Sequence, residues 1–219
     1  LGFIICENMI GEKRFYGITF IKIVLGTFRA IFFMGALSLM IWTVYSVFVF
    51  ITGSPSTHMA FPVIFELQRE GIISIGESAN FDLLQGKGLI VSDSIPKGFL
   101  GIFSILELLM VICVLLIFKL TIRILDSAYL GKFMVVANAN RLKNIAFLGM
   151  AYFVLENFRT LFSSHYFSDK LESVNVDFTE IHFLSWFSLE SLLISLFLLV
   201  IAETFRVGAL LKKENDLTI

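Results

Sequence analysis

The 219 residues are 57% hydrophobic and only 16% charged, with a mean hydropathy of +0.87, whereas a soluble domain is about 45–50% apolar and about 25% charged. That balance excludes an ordinary soluble domain and points to a polytopic membrane protein. A net charge of -1 gives no electrostatic reason to expect nucleic acid as a direct ligand.

The chain opens on Leu1 rather than Met, which leaves room for preceding residues or a processed leader. The stretch ending at Cys6 lacks the basic segment and small residue of a lipoprotein signal and reads as apolar packing. Cys6 and Cys113 stand far apart, so no disulfide between them is expected. Residues 1–29 carry Glu7, Glu12, Lys13, Arg14, Lys22 and Arg29 among apolar side chains. This pattern predicts an interfacial, amphipathic lead-in.

Four apolar runs follow, at residues 30–52, 98–118, 144–162 and 183–203. Each is about as long as a helix that crosses a hydrocarbon core ~30 Å thick. Between the first two, residues 54–97 hold short β-prone pieces separated by Gly, Asn and Asp, the pattern of short strands and turns. The fold class expected is therefore all-α: a bundle of four transmembrane helices, with a small strand-rich extracytoplasmic loop between helices 1 and 2. Residues 204–219 form a charged tail.

Basic residues set the expected orientation. They crowd the lead-in, the 126–143 connection and the tail, while the two remaining loops hold only Arg69, Lys87, Lys97 and Lys170 against more numerous acids. Both termini are expected in the cytoplasm, with residues 54–97 and 163–182 outside.

Counted from the outer ends at ~1.5 Å per residue, Glu107, Glu156 and Glu190 fall in one layer roughly 10 to 14 Å deep. Arg159, three residues after Glu156, shares its helix face and can pair with that carboxylate or a neighbouring one. Charges inside a membrane are tolerated when they cluster and face protein. The layer reads either as a polar, proton-sensitive pocket opening outward or as a buried network that fixes helix register. His58, His165 and His182 are loop residues without a zinc-like spacing, and no metal or cofactor is expected. No nucleophile elbow, phosphate loop or HExxH motif is present, so the chain is read as non-enzymatic.

Two segments carry a resemblance. One is Leu130-Gly131-Lys132-Phe133 followed by Asn138-Ala139-Asn140-Arg141-Leu142-Lys143-Asn144-Ile145; the other runs from Phe205 through Glu214 and Asp216 to Ile219. Together they resemble an uncharacterised bacterial family of four-span membrane proteins known only as a domain of unknown function. The resemblance implies a bacterial inner-membrane location and a possible cytoplasmic partner, a small helix-turn-helix regulator of the Cro/CI type. It supplies no catalytic residues.

Read from their chemistry alone, the same segments put Asn138, Asn140, Arg141, Glu214 and Asp216 on one face, where they form either a docking surface or a topology-setting belt against lipid headgroups. Arg141 can meet Glu214 or Asp216 there as a surface pair. The functional expectation is a sensor or regulatory protein that couples its outer side to a cytoplasmic partner. An accessory subunit of a larger membrane complex and a small-solute or proton transporter are the alternatives. Ligand and oligomeric state are not legible.

Overall fold

The computed structural model describes residues 2–52, 59–67, 73–74, 80–81, 85–92, 96–168, 176–177 and 189–217. Four long helices dominate: α1 (Gly2–Thr52), α2 (Lys97–Tyr129), α3 (Val136–Ser168) and α4 (Leu189–Leu217). No proline falls inside any of them, Pro55, Pro62 and Pro96 being the three in the chain, so nothing interrupts the backbone ladder from within. Each contains a segment long and apolar enough to cross a membrane: Thr19–Phe48, Lys97–Tyr129, Val136–Phe167 and Leu189–Asn215. Four such helices suggest a multi-pass membrane protein. The lead-in continues into α1 without a break. Residues 183–188 of the expected fourth span lie outside the described residues.

Five strands complete the described structure: β1 (Met59–Leu67), β2 (Ile73–Ser74), β3 (Asn80–Phe81), β4 (Gln85–Ser92) and β5 (Val176–Asp177). β1 is the middle strand of a sheet ordered β4-β1-β5. It pairs antiparallel with β4 from Met59↔Ser92 to Glu66↔Gln85, and with β5 at Glu66↔Asp177 and Leu67↔Val176. β2 and β3 form a separate antiparallel pair. The strand-rich character read from residues 54–97 is thus present, and β5 adds a strand from the loop between α3 and α4.

By contacts the chain divides into two compact units, one of Leu1–Ile41, Val111–Ala151 and Glu190–Ile219, the other of Trp42–Met110 and Tyr152–Leu189. In the second unit the sheet seats on helices through phenylalanine. Alternation along β1 turns Phe61 and Val63 to one face, and both are buried. Phe61 packs on Phe103 at 4.8 Å, Phe99 at 5.4 Å and Phe167 at 5.7 Å between ring centroids. Phe99 in turn meets Tyr166 at 4.1 Å and Phe162 at 5.1 Å. Phe99 and Phe103 are one turn apart on α2, as are Phe162 and Tyr166 on α3, so facing helical stripes close around the strand residue.

In the first unit, α2 ends in a turn that the sequence encodes through Gly131. Its φ is +72°, a left-handed conformation open to glycine at little steric cost. The Gly131 N–H donates to the Ala128 carbonyl at 3.0 Å and the Lys132 N–H to the Ser127 carbonyl at 2.9 Å. That pair of bonds is a Schellman termination, which satisfies carbonyls the helix end would leave open. Farther along this unit α3 and α4 approach closely at Gly149, where an added Cβ would collide with the Ser195 side chain.

Candidate functional site

In the second unit, Glu107 lies one turn beyond Phe103 on α2 and Arg159 one turn before Ser163 on α3, next to the aromatic cluster along both helices. The Arg159 Nη1 donates to the Glu107 carboxylate. Their side chains are only 19% and 26% exposed, so the pair is removed from most of its surroundings, and lost solvation must be offset by close pairing. Arg159 Nε is buried and has no hydrogen-bond partner among the described residues.

Glu156 is half-buried on the preceding turn of α3. Tyr152, one turn before Glu156, lies within electrostatic reach of Glu156, Arg159 and Glu107. Asn157 is buried, and its side-chain amide donates to the Phe153 carbonyl at 2.7 Å. Glu190 belongs to the first unit, in the first turn of α4, and is exposed. The structure therefore pairs Glu107 with Arg159 and places Glu156 in the same unit, on the turn of α3 before Arg159.

Ser163 joins this cluster to the sheet. It is fully buried, and its hydroxyl donates to the Pro62 carbonyl of β1; the same hydroxyl lies 3.1 Å from each of the Arg159 and Thr160 carbonyls. Pro62 has no N–H to give, but its carbonyl accepts this bond and ties the strand to the helix that carries Arg159. In sequence Ser163 stands out only beside Ser164 and His165, an adjacency that is not triad geometry, and Tyr152 carries no motif, although each stands four residues from a charged side chain on the same helix: Arg159–Ser163 and Tyr152–Glu156. That spacing was the available signal.

The second set of predicted residues falls around the α2–α3 connection and α4, all in the first unit. Asn138 is 2% exposed. Its Nδ2 donates to the Phe133 carbonyl at 2.8 Å and the Lys132 carbonyl at 3.3 Å, and its Oδ1 accepts from Arg141 Nη1 at 2.8 Å. Arg141 Nη1 also donates to the Arg123 carbonyl at 2.9 Å. These two residues bind the connection together from inside.

Asn140 is exposed and lines a notch of about 110 Å³ with Lys143 from α3 and Glu203 and Arg206 from α4. In that notch Arg206 holds Glu203 through Nε at 3.0 Å and Nη2 at 2.6 Å. Glu214 is exposed near the end of α4, while the Asp216 side chain lies outside the described residues.

No group of three or more metal-ligating side chains occurs among the described residues. Cys113 is a free thiol, and the Cys6 side chain, His58, His182 and Trp186 lie outside the described residues.

Residues 84–219 match the family described as "Protein of unknown function (DUF2975)". The chain belongs to this family. The DUF2975 match takes in α2, α3, α4, the Glu107–Arg159 pair, the Asn138–Arg141 connection and the tail. No curated protein and no solved structure matches the chain.

Proposed function

We propose that this DUF2975 chain is a non-enzymatic protein of a bacterial inner membrane that responds to a condition on its capped side and passes its state to a cytoplasmic partner. The excess of Lys and Arg in the lead-in, the α2–α3 connection and the tail supports cytoplasmic placement of those parts and extracytoplasmic placement of the sheet. The observation that carries the reading is Ser163, whose hydroxyl reaches both the Pro62 carbonyl of the sheet and the Arg159 carbonyl beside the charge pair. A change in how β1 seats is thereby felt on α3, a helix unbroken from Val136 to Ser168. The exposed Asn140, Lys143, Glu203 and Arg206 of the notch, with the charged tail, are the proposed partner surface. A helix-turn-helix regulator of the Cro/CI type is the proposed partner.

Such coupling needs two states that bind the partner differently. The test is recovery of partners from gently solubilised native membranes with the full chain, with a chain lacking Lys212 to Ile219, and with Glu107→Gln/Glu190→Gln. A partner lost with the tail and altered in amount by the double substitution supports the reading. Unchanged recovery and unchanged fold stability in the double variant would sink it.

A second reading, an accessory subunit of a larger membrane complex, is favoured by α1. Among its described side chains only Leu25 is buried, while Phe33, Met34, Met40 and Val44 are each more than 60% exposed. A helix with so little packing of its own has faces available to another protein's helices. Copurification in fixed stoichiometry from native membranes distinguishes this reading.

A further inference from the structure

Between α2 and α3, in the first unit, lies a cavity of about 440 Å³ whose lining is polar in one part and apolar in another. That volume is within the range of small-ligand sites. Lys119 and Arg123 contribute the charges, one turn apart on α2, and Asn144 on α3 adds an amide; Leu116, Phe147 and Leu148 supply the apolar part.

The hydrogen bond from Arg141 to the Arg123 carbonyl sets those two positions level. Counting away from the short α2–α3 connection on both helices then brings Asn144 near residue 120 and Leu148 near Leu116. The cations and the amide therefore sit toward the connection, and the apolar side chains lie deeper along the helices.

No acid lines this cavity. Among the described residues, Asp126 is engaged by Arg29 at 2.7 Å and Glu203 by Arg206, and neither Lys119 nor Arg123 takes part in a described ion pair. Both cations are exposed. On the apolar side, Leu116 and Phe147 are 40% and 50% exposed, so the slot is open where a chain of methylenes would cover it.

We propose that this cavity is a site for one anionic phospholipid. The Arg123 guanidinium is suited to two oxygens of a phosphodiester at once, Lys119 supplies a second positive charge, and the Asn144 amide can donate to a glycerol or phosphate oxygen. The first part of an acyl chain runs over Leu116, Phe147 and Leu148. A zwitterionic headgroup is disfavoured because the lining has no carboxylate to meet its cation, and a small soluble anion would leave the apolar slot uncovered. Basic pockets between membrane helices at headgroup depth bind acidic lipids for these reasons. The inference rests on the helices crossing a membrane and is independent of the sensing role.

The test is native mass spectrometry of the full chain, released from micelles doped with phosphatidylglycerol or phosphatidylcholine of matched acyl chains. Retention of phosphatidylglycerol is expected to exceed that of phosphatidylcholine by about tenfold, and Lys119→Gln/Arg123→Gln should bring the two within about twofold, as two basic groups near a charged headgroup account for such a factor. Lys212→Gln/Lys213→Gln in the tail should retain the preference, and glycerol phosphate should not displace the lipid.

Equal retention of the two lipids in the parent chain overturns the proposal. So does an undiminished preference in the Lys119→Gln/Arg123→Gln chain, equal loss in the tail variant, or displacement by glycerol phosphate, which would mark recognition of the anion alone. Should the double variant fail to fold, Leu148→Trp, which blocks the apolar slot and leaves the charges in place, must lower phosphatidylglycerol retention; unchanged retention overturns the proposal equally.

Discussion

Replacing Glu107 with Ala would leave the Arg159 guanidinium largely enclosed with no carboxylate against it. Removing one member of a buried pair costs about 3 kcal/mol or more, while replacing both members with apolar side chains of similar volume is often neutral or stabilising. Glu107→Ala should therefore lower unfolding stability in a fixed detergent by about 3 kcal/mol, and Glu107→Leu/Arg159→Met should recover most of it. A recovery that also abolished partner capture would separate the pair's functional role from its structural one.

At the same scale, Asn138→Ala removes an amide that is buried and bonded on both its donor and acceptor sides. The Phe133 carbonyl and the Arg141 guanidinium each lose a partner, and destabilisation of about 1–3 kcal/mol is expected in the same unfolding measurement. A hydrophilic connection made Asn138 legible as a polar residue between two apolar runs. Its inward direction was not legible, because it depends on where the Gly131 turn aims the Lys132 and Phe133 carbonyls.

Among the helices, the closest approach with a clear consequence is that of Gly149 to Ser195. Small residues let membrane helices pack backbone to backbone, and Ser195 is buried there with its hydroxyl donating to the Ser191 carbonyl at 2.7 Å. Gly149→Ala adds a methyl where the Ser195 hydroxyl stands, and overpacking of this kind costs about 1–3 kcal/mol. Adding Ser195→Ala removes the colliding oxygen and leaves a Cβ at 3.4 Å, an ordinary contact. The double variant should melt above Gly149→Ala alone, and the same melting temperature for both would show that another contact sets the strain.

The helices were readable because apolar runs are contiguous in sequence, and Arg159 declared itself as a charge that must find a carboxylate. The Phe61 cluster was not readable. It joins a strand to two helices across about a hundred positions, and nothing local distinguishes Phe61 from the 24 other phenylalanines in the chain.

For the whole molecule, orientation is the expectation with the most direct check. Cysteine introduced at exposed Leu89 of β4 should react with a membrane-impermeant maleimide in intact cells, and cysteine at Lys213 only after permeabilisation, both in a Cys6→Ala/Cys113→Ala background. The reverse pattern would invert the assignment from basic residues. The acidic 163–182 loop reads as a solvated stretch from composition. Yet Val176–Asp177 pairs with β1 as β5, since two residues carry too little periodicity to announce a strand whose partner lies so far away.

The position of β1 in the sheet also bears on where the chain can be cut. Met59–Leu67 precedes residue 84, where the DUF2975 match begins, yet it stands between β4 and β5, both inside the match. A fragment trimmed to the recognised residues would lose the ring that plugs Phe99, Phe103 and Phe167 and would leave two orphaned strand edges, an invitation to self-association. The smallest autonomous piece of this protein should begin upstream of Met59, and fragments starting at residue 84 should elute as aggregates where longer ones do not.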